Sequence, residues 1–483
     1  MTALGQLPPD FVFGAATAAF QIEGAAWTDG RRDSIWDVFC RVPGAVTGGD
    51  DGSVACDHYH RYPEDVALMK SLGLDAYRFS ISWARVVPDD AAVNPAGLAF
   101  YDRLVDSLLE AGIRPWPTLY HWDLPQAREE LGGWPARETA ERFVEYAMAV
   151  HGALGDRLDV WTTFNEPWCS SFLSYTAGAH APGRRSASDG VAAGHHLLLA
   201  HGLAARELRT AGAREVGITL NLAPVRPLRL MDAGDIDAAR RIDGQFNRFF
   251  LDPLFRGWYA DDVREDLAPF GLEEVVRAGD LSIIRGSVDF LGVNYYHGET
   301  VSMLPPAAFG REELRQEAPT PRETGSPFPA ADGVHWHPTG AETTAMGWEI
   351  EPHGLTELLE RVARDYTGPA GLPVYVTENG AAFDDEVAAD GAVHDVERVE
   401  FLRAHLDAIA DARAAGVDVR GYFYWSLLDN FEWAWGYAKR FGLVRVDYAT
   451  QERTLKDSAL AYRELIAAAR AAAPASVGDP SVR

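Results

Sequence analysis

Cysteine is scarce in this chain: Cys40, Cys56 and Cys169 are the three it carries in 483 residues. So small and odd a number excludes a disulfide framework and fits a reducing compartment, so the protein is expected to be cytoplasmic. No Cys-x-x-Cys pair marks a structural metal or redox site. Positive charge is also short, with 44 Lys and Arg against 71 Asp and Glu and a net charge of −27. Nucleic-acid binding needs a basic face, so that class of partner is excluded. No segment approaches the roughly twenty unbroken apolar residues of a membrane span. Met1–Asp10 lacks a basic stretch followed by an apolar one, so no signal peptide is expected.

What the chain has in quantity is aromatic side chains: 14 Trp, 17 Tyr and 22 Phe, within a composition 47% hydrophobic and 24% charged. That is a soluble globular chain with a large core. Its length alone would suggest three domains, but α/β barrels with insertions exceed four hundred residues. Two apolar runs stand out. Val160–Asn165 ends in Glu166-Pro167, and Pro373–Thr377 ends in Glu378-Asn379-Gly380. Both are rich in β-branched and aromatic residues, too short for helices, and broken by turn residues, so they read as buried strands. Further strand-like runs are Phe11–Ala16, Asp75–Ser80, Arg114–Tyr120, Val216–Asn221, Val288–Tyr295 and Val419–Trp425. Helical spacing lies between them, as in Tyr62–Leu72 and in Gly97–Ala111 before Gly112. Strands alternating with helices imply parallel pairing through right-handed crossovers. Eight such units predict an α/β fold, a single (β/α)8 TIM barrel with long βα loops. Its chemistry belongs at the C-terminal strand ends, where both glutamates sit.

His297–Thr344 is long, rich in Pro, Gly and Glu, and without clear periodicity. Because it follows the sixth strand it is expected to be an active-site loop and not a linker. The catalytic barrel is taken as residues 1–466. Residues 467–483, Ala-rich and then Pro/Gly/Ser-rich, are expected to form a fraying helix and a disordered tail.

Several motifs then fall in a familiar order: Asp57-His58-Tyr59-His60-Arg61-Tyr62, Tyr77–Trp83, Tyr120-His121-Trp122-Asp123-Leu124-Pro125-Gln126 and Thr163-Phe164-Asn165-Glu166-Pro167-Trp168. They continue with Asp289–Tyr296, Thr377-Glu378-Asn379-Gly380, Tyr424–Trp433 and Lys439-Arg440-Phe441-Gly442-Leu443. From Phe11 to about Ile466 the chain resembles the family 1 glycoside hydrolases, bacterial β-glucosidases in particular.

The resemblance implies a retaining β-glycosidase in which Glu166 is the general acid/base and Glu378 the nucleophile, with their carboxyls about 5–5.5 Å apart. The two strands are expected on opposite sides of the ring. Burial and the charge of Glu378 should raise the pKa of Glu166. Arg78 would hold Glu378 ionised, and Tyr296 would donate to it. By the same resemblance Gln21, His121, Asn165, Glu432 and Trp433 bind sugar hydroxyls, Trp425 is the platform under the ring, and Trp122 belongs to the same pocket. Trp168 and Trp348 wall the leaving-group site, and Asn221 and Asn294 line it from strand ends. A carboxylate at Glu432 repels phosphate, which implies unphosphorylated sugars; phospho-glycosidases of the family carry a small hydroxyl residue there.

The implied substrates are small-molecule β-glucosides with a terminal non-reducing β-D-glucosyl residue, with side activity on β-galactosides and β-fucosides. No cofactor is implied. His58 and His60, or His195, His196 and His201, show no His-x-x-x-His pattern with a supporting carboxylate, so no metal site is expected. The stretch around His195 reads instead as a helix on the barrel. Two alternatives stand beside hydrolysis: a sugar-binding barrel without turnover, and transglycosylation from the same glycosyl-enzyme. Neither oligomeric state nor aglycone is legible.

Overall fold

A computed structural model describes residues 7–90, 92–309 and 322–472. Its centre is a closed ring of eight strands: β1 (Val12–Ala16), β2 (Ala76–Ser80), β3 (Arg114–Tyr120), β4 (Val160–Asn165), β5 (Glu215–Asn221), β6 (Phe290–Asn294), β7 (Val374–Asn379) and β8 (Val419–Trp425). Each pairs in parallel with its neighbours in sequence, and β8 closes on β1 through Val12–Gly421 to Ala16–Trp425. This is the (β/α)8 barrel that the alternating pattern predicts.

The crossover helices obey their local signals. The helix Pro95–Ala111 starts with Pro at its first position, and the Asn94 side chain accepts from the Ala96 N–H at 3.3 Å. It stops at Gly112, whose φ of +79° needs no Cβ relief. The segment Tyr62–Leu72 forms part of a longer helix, His58–Leu72. Around His195 the helix Ala187–Thr210 packs on the barrel through a nearly continuous buried face.

The barrel interior is filled by rings from non-adjacent strands. Trp116 of β3 meets Phe290 of β6, Tyr375 of β7 and Phe423 of β8, with centroids 5.4, 4.9 and 5.0 Å away. Its indole N–H donates to Thr162 Oγ1 at 3.0 Å. Such edge-on contacts between buried rings add to the burial of their area. One contiguous core runs from Leu7 to Ala469.

One expectation needs correction. β4 and β7 are not diametrically opposite: only β5 and β6 separate them along one arc of the ring, and the strand facing β4 is β8. Their side chains still converge because the ring is narrow and both glutamates point inward from strand ends. The long segment after β6 lines the cavity, as expected of an active-site loop, and carries short strands of its own. Glu299–Ser302 and His335–Trp336 pair antiparallel, and Glu299–Ser302 also pairs with Val225–Pro227 after β5, giving a small three-stranded sheet above the barrel. The pairing joins residues far apart in sequence, which periodicity within a window does not register. Within the tail expected from residue 467, the last helix continues to Ala472. The rest of that expectation lies outside the described residues.

Trp116→Ala would remove the ring on which three others meet. We expect it to destabilise the protein by about 3–5 kcal/mol in urea unfolding, with m unchanged. A loss below about 1 kcal/mol would show that the interior collapses around the gap.

Candidate active site

At the C-terminal ends of the strands the polar side chains form one connected set. β4 ends at Asn165, and the next residue, Glu166, takes a left-handed φ of +48° before Pro167. That strained conformation turns the carboxyl out of strand alternation and into the ring. Glu378 lies within β7, register-paired with Asn294 of β6. The glycine after Asn379 is required by close approach, since a Cβ on Gly380 would lie 1.7 Å from the Trp425 carbonyl oxygen.

Arg78 of β2, fully buried, donates from Nη1 to Glu378 Oε1 at 2.5 Å and from Nη2 to Asn165 Oδ1 at 2.6 Å. Tyr296 Oη donates to Glu378 Oε2 at 2.8 Å. The Asn294 amide donates to Glu166 Oε1 at 2.7 Å and to Asn165 Oδ1 at 3.0 Å. Its own carbonyl accepts from Thr377 Oγ1 at 2.8 Å, which fixes which way the amide faces. Behind it, a Cβ on Gly292 would lie 2.3 Å from Thr219 Oγ1, so glycine leaves room for the Thr219–Thr377 hydroxyl pair.

Electrostatics separates the two carboxyls. Burial pushes the Glu166 pKa up to about 8, and the neighbouring charge of Glu378 adds to it. Burial also raises Glu378, but Arg78, Tyr296 and Asn294 all pull it back by supporting the ionised form. The cation and donors on Glu378 favour its ionised form, whereas Glu166, with no cation bonded to it, is the carboxyl biased toward keeping its proton. Burial raises Glu432 to about 8 as well, with Glu378 and Glu166 contributing. Burial, then Arg78, holds His121 well below the usual range, so its imidazole is neutral.

The two glutamates open into a cavity of about 790 Å³. Of the residues singled out in the sequence, His121, Trp122, Glu166, Trp168, Asn221, Asn294, Tyr296, Trp348, Glu378, Trp425, Glu432 and Trp433 line it. Gln21, Arg78 and Asn165 are buried outside the lining, in the layer that holds it. Gln21 Nε2 donates to Asn430 Oδ1 and to the Phe431 carbonyl, anchoring the turn that carries Glu432 and Trp433. At the deep end the His121 ring lies nearly parallel to Trp425 and Trp433, 5.7 and 5.9 Å away. Gln21 Oε1, His121 Nδ1 and Glu432 Oε2 are buried and find no partner among the described residues. Buried polar atoms in that condition call for a ligand or water.

Sequence reasoning missed most of the outer wall. Trp168 packs against Phe246 and Phe328 at 4.7 and 5.3 Å, and Phe328 against Trp336 at 5.5 Å. Phe328 and Trp336 come from the segment flagged as an active-site loop, so the location was signalled though the residues were not. Phe246 belongs to no motif. Cys169 was also missed. The histidines of the Ala187–Thr210 helix serve separate contacts: His195 with Asp280 and Tyr259, His196 with the Trp134 carbonyl, and His201 with Thr163.

A barrel with two unequal carboxyls facing one cavity is the equipment of a glycoside hydrolase. The family model for Glycosyl hydrolase family 1 matches residues 3–471, and the chain belongs to that family. It is 50% identical to a thermostable β-glucosidase B of Thermobispora bispora over 95% of this chain and 90% of the relative. A bifunctional β-D-glucosidase/β-D-fucosidase of Bifidobacterium breve is 48% identical over 95% of this chain and 98% of the relative. Among solved structures, the psychrophilic β-glucosidase of Micrococcus antarcticus superposes with a TM-score of 0.94 at 55% identity, over 97% of this chain and 100% of that one.

Glu378→Gln would remove the charge facing Glu166. We expect ¹³C NMR of labelled glutamate to show Glu166 titrating near pH 8 in the wild type and clearly lower in the variant. An unchanged titration would mean the two carboxyls do not sense each other.

Proposed function

We propose that this chain is a retaining β-glycosidase, a β-glucosidase, that hydrolyses terminal non-reducing β-D-glucosyl residues from small glycosides. The observation that carries the reading is the unequal pair: Glu378 supported as a carboxylate by Arg78 and Tyr296, and Glu166 kept protonated by burial beside that charge. The Glu378 carboxylate attacks the anomeric carbon while Glu166 gives its proton to the glycosidic oxygen, and the bond to the aglycone breaks. The glycosyl-enzyme ester removes the charge on Glu378, so the Glu166 pKa falls. Glu166, now ionised, takes a proton from water, the oxygen attacks the anomeric carbon, and Glu378 leaves as a carboxylate.

Gln21, His121, Glu432 and Trp433 would bind the sugar hydroxyls, with Trp425 beneath the ring and Asn165 on the 2-hydroxyl. The unpartnered polar atoms of Gln21, His121 and Glu432 support that assignment. Trp168, Phe246, Phe328, Trp336 and Trp348 would enclose the aglycone. Activity on β-fucosides is proposed alongside, in keeping with the name of the Bifidobacterium relative; β-galactosides are a further proposed side activity. The three cysteines are all buried and free, which supports a reducing, cytoplasmic setting. Among the described residues no helix is long and apolar enough to cross a membrane.

The test is turnover of p-nitrophenyl β-glucoside by the wild type, by Glu378→Gly, and by Glu378→Gly with azide. Activity lost in the variant and rescued as the α-glycosyl azide is expected. A wild type inactive on gluco-, galacto- and fucosides alike, yet binding the sugars, would favour a barrel without turnover. Glu166→Ala should lower kcat/KM for glucosides with poor leaving groups by roughly 10²–10⁴-fold and spare those needing no proton.

A further inference from the structure

We propose that Cys169 is a positioning residue for Glu166: its thiol holds Oε2 of that carboxyl and supports the ionised form that must activate water. The proposal rests on the reading of Glu166 as acid and base. The two oxygens of Glu166 have different partners. Oε1 accepts the Asn294 amide at 2.7 Å, and that amide cannot turn over, because its carbonyl is committed to Thr377. Oε2 has the Cys169 thiol as its partner, 3.1 Å from Sγ. The proton that Glu166 delivers must therefore reside on Oε2, beside the sulfur.

The thiol is held in place for this task. Cys169 follows Glu166-Pro167 at the first turn of the segment Cys169–Ala177, and its backbone N–H donates to the Glu166 carbonyl at 3.0 Å. Its carbonyl accepts from Ser174 Oγ at 3.0 Å. Asn221 at the end of β5 points its amide at Sγ from 3.7 Å. Cys169 lines the cavity and is 5% exposed.

A thiol can present either its S–H or its sulfur lone pairs, and it rotates at little cost. While Oε2 carries the proton, the S–H turns away and the sulfur faces the Asn221 amide. Once the proton has gone to the leaving group, the S–H turns to the carboxylate. No bond to sulfur forms or breaks. The effect falls on the second half-reaction, in which Glu166 must exist as a base. The other charged and titratable groups facing Glu166 are Glu378 of β7, Arg78 of β2, Tyr296 after β6 and Glu432 after β8. None of them is a donor to Oε2.

The experiment compares pH profiles of kcat/KM for wild type, Cys169→Ala, Cys169→Ser and Glu166→Ala, with kcat for a 2,4-dinitrophenyl glucoside whose second step limits turnover. Losing the donor in Cys169→Ala should move the alkaline limb up by about half a unit, and move the acid limb of that kcat, where Glu166 must be ionised, up by a similar amount. A hydroxyl is a stronger donor than a thiol, so Cys169→Ser should bring the limb back to, or below, its wild-type position. A purely structural role predicts no opposite movement in the two variants. If Glu166→Ala abolishes the alkaline limb while neither Cys169 variant moves it, the proposal for Cys169 is wrong and the role of Glu166 stands. An alkaline limb that survives Glu166→Ala overturns both. Serine differs from cysteine by one atom, so that variant keeps the comparison available if the alanine variant melts early.

Discussion

Arg78 is a guanidinium with no solvent, buried at the centre of a protein that carries a large excess of acid. A charge so placed is tolerable only if its donors are met by well-aligned acceptors. Two of them are: the carboxylate of Glu378 and the amide oxygen of Asn165. From that bridge the rest of the pocket follows. Asn165 carries the turn into Glu166, Asn294 reaches both Asn165 and Glu166, and Thr377 aims Asn294. Contributions from β2, β4, β6 and β7 are thus tied by hydrogen bonds whose partners are each specified. Within this set, burial alone would raise both carboxyls, and the placement of one cation decides which of them ionises first.

The same set accounts for the backbone features at the strand ends. A left-handed glutamate, a glycine pressed against a carbonyl and another kept small beside two hydroxyls are each unfavourable alone. They persist because the surrounding contacts over-determine them. Stability here comes from the lower layer, where Trp116, Phe290, Tyr375 and Phe423 fill the ring. The upper layer is then free to hold polar groups in positions that suit a ligand more than they suit the fold.

How much of this could be read from the residues depended on how far the determining contacts reach. The eight strands were legible because each is a short apolar run bounded by turn residues, and the runs at Arg114–Tyr120 and Val419–Trp425 agree with the structure to the residue. The inner site was legible because its residues travel in motifs with their strands, as Asn165 does with Glu166 and Thr377 with Glu378. The outer wall was not. Trp168 meets Phe246 and Phe328, and Phe328 meets Trp336, across segments distant in sequence, with Trp336 carried by a sheet whose strands are themselves far apart in the chain. The notion that β4 and β7 face each other across the ring failed for a related reason. Strand order is a property of the closed circuit, and no single run carries it. Cys169 was invisible because one thiol carries no pattern.

The small sheet above the barrel has its own miniature core, with Ala238, Ala239, Ile242, Val301 and Val334 packed apart from the main one. Its strands leave directly from β5 and β6, yet its apolar contacts are largely internal. Changes within it therefore perturb few contacts of the ring, and distant sites tend to combine additively. The part of the outer wall that this sheet carries, Trp336 with Phe328 against it, is in this sense a module fitted onto the barrel. Replacing that part of the wall would alter the shape offered to the departing group while the unequal carboxyls beneath kept their geometry.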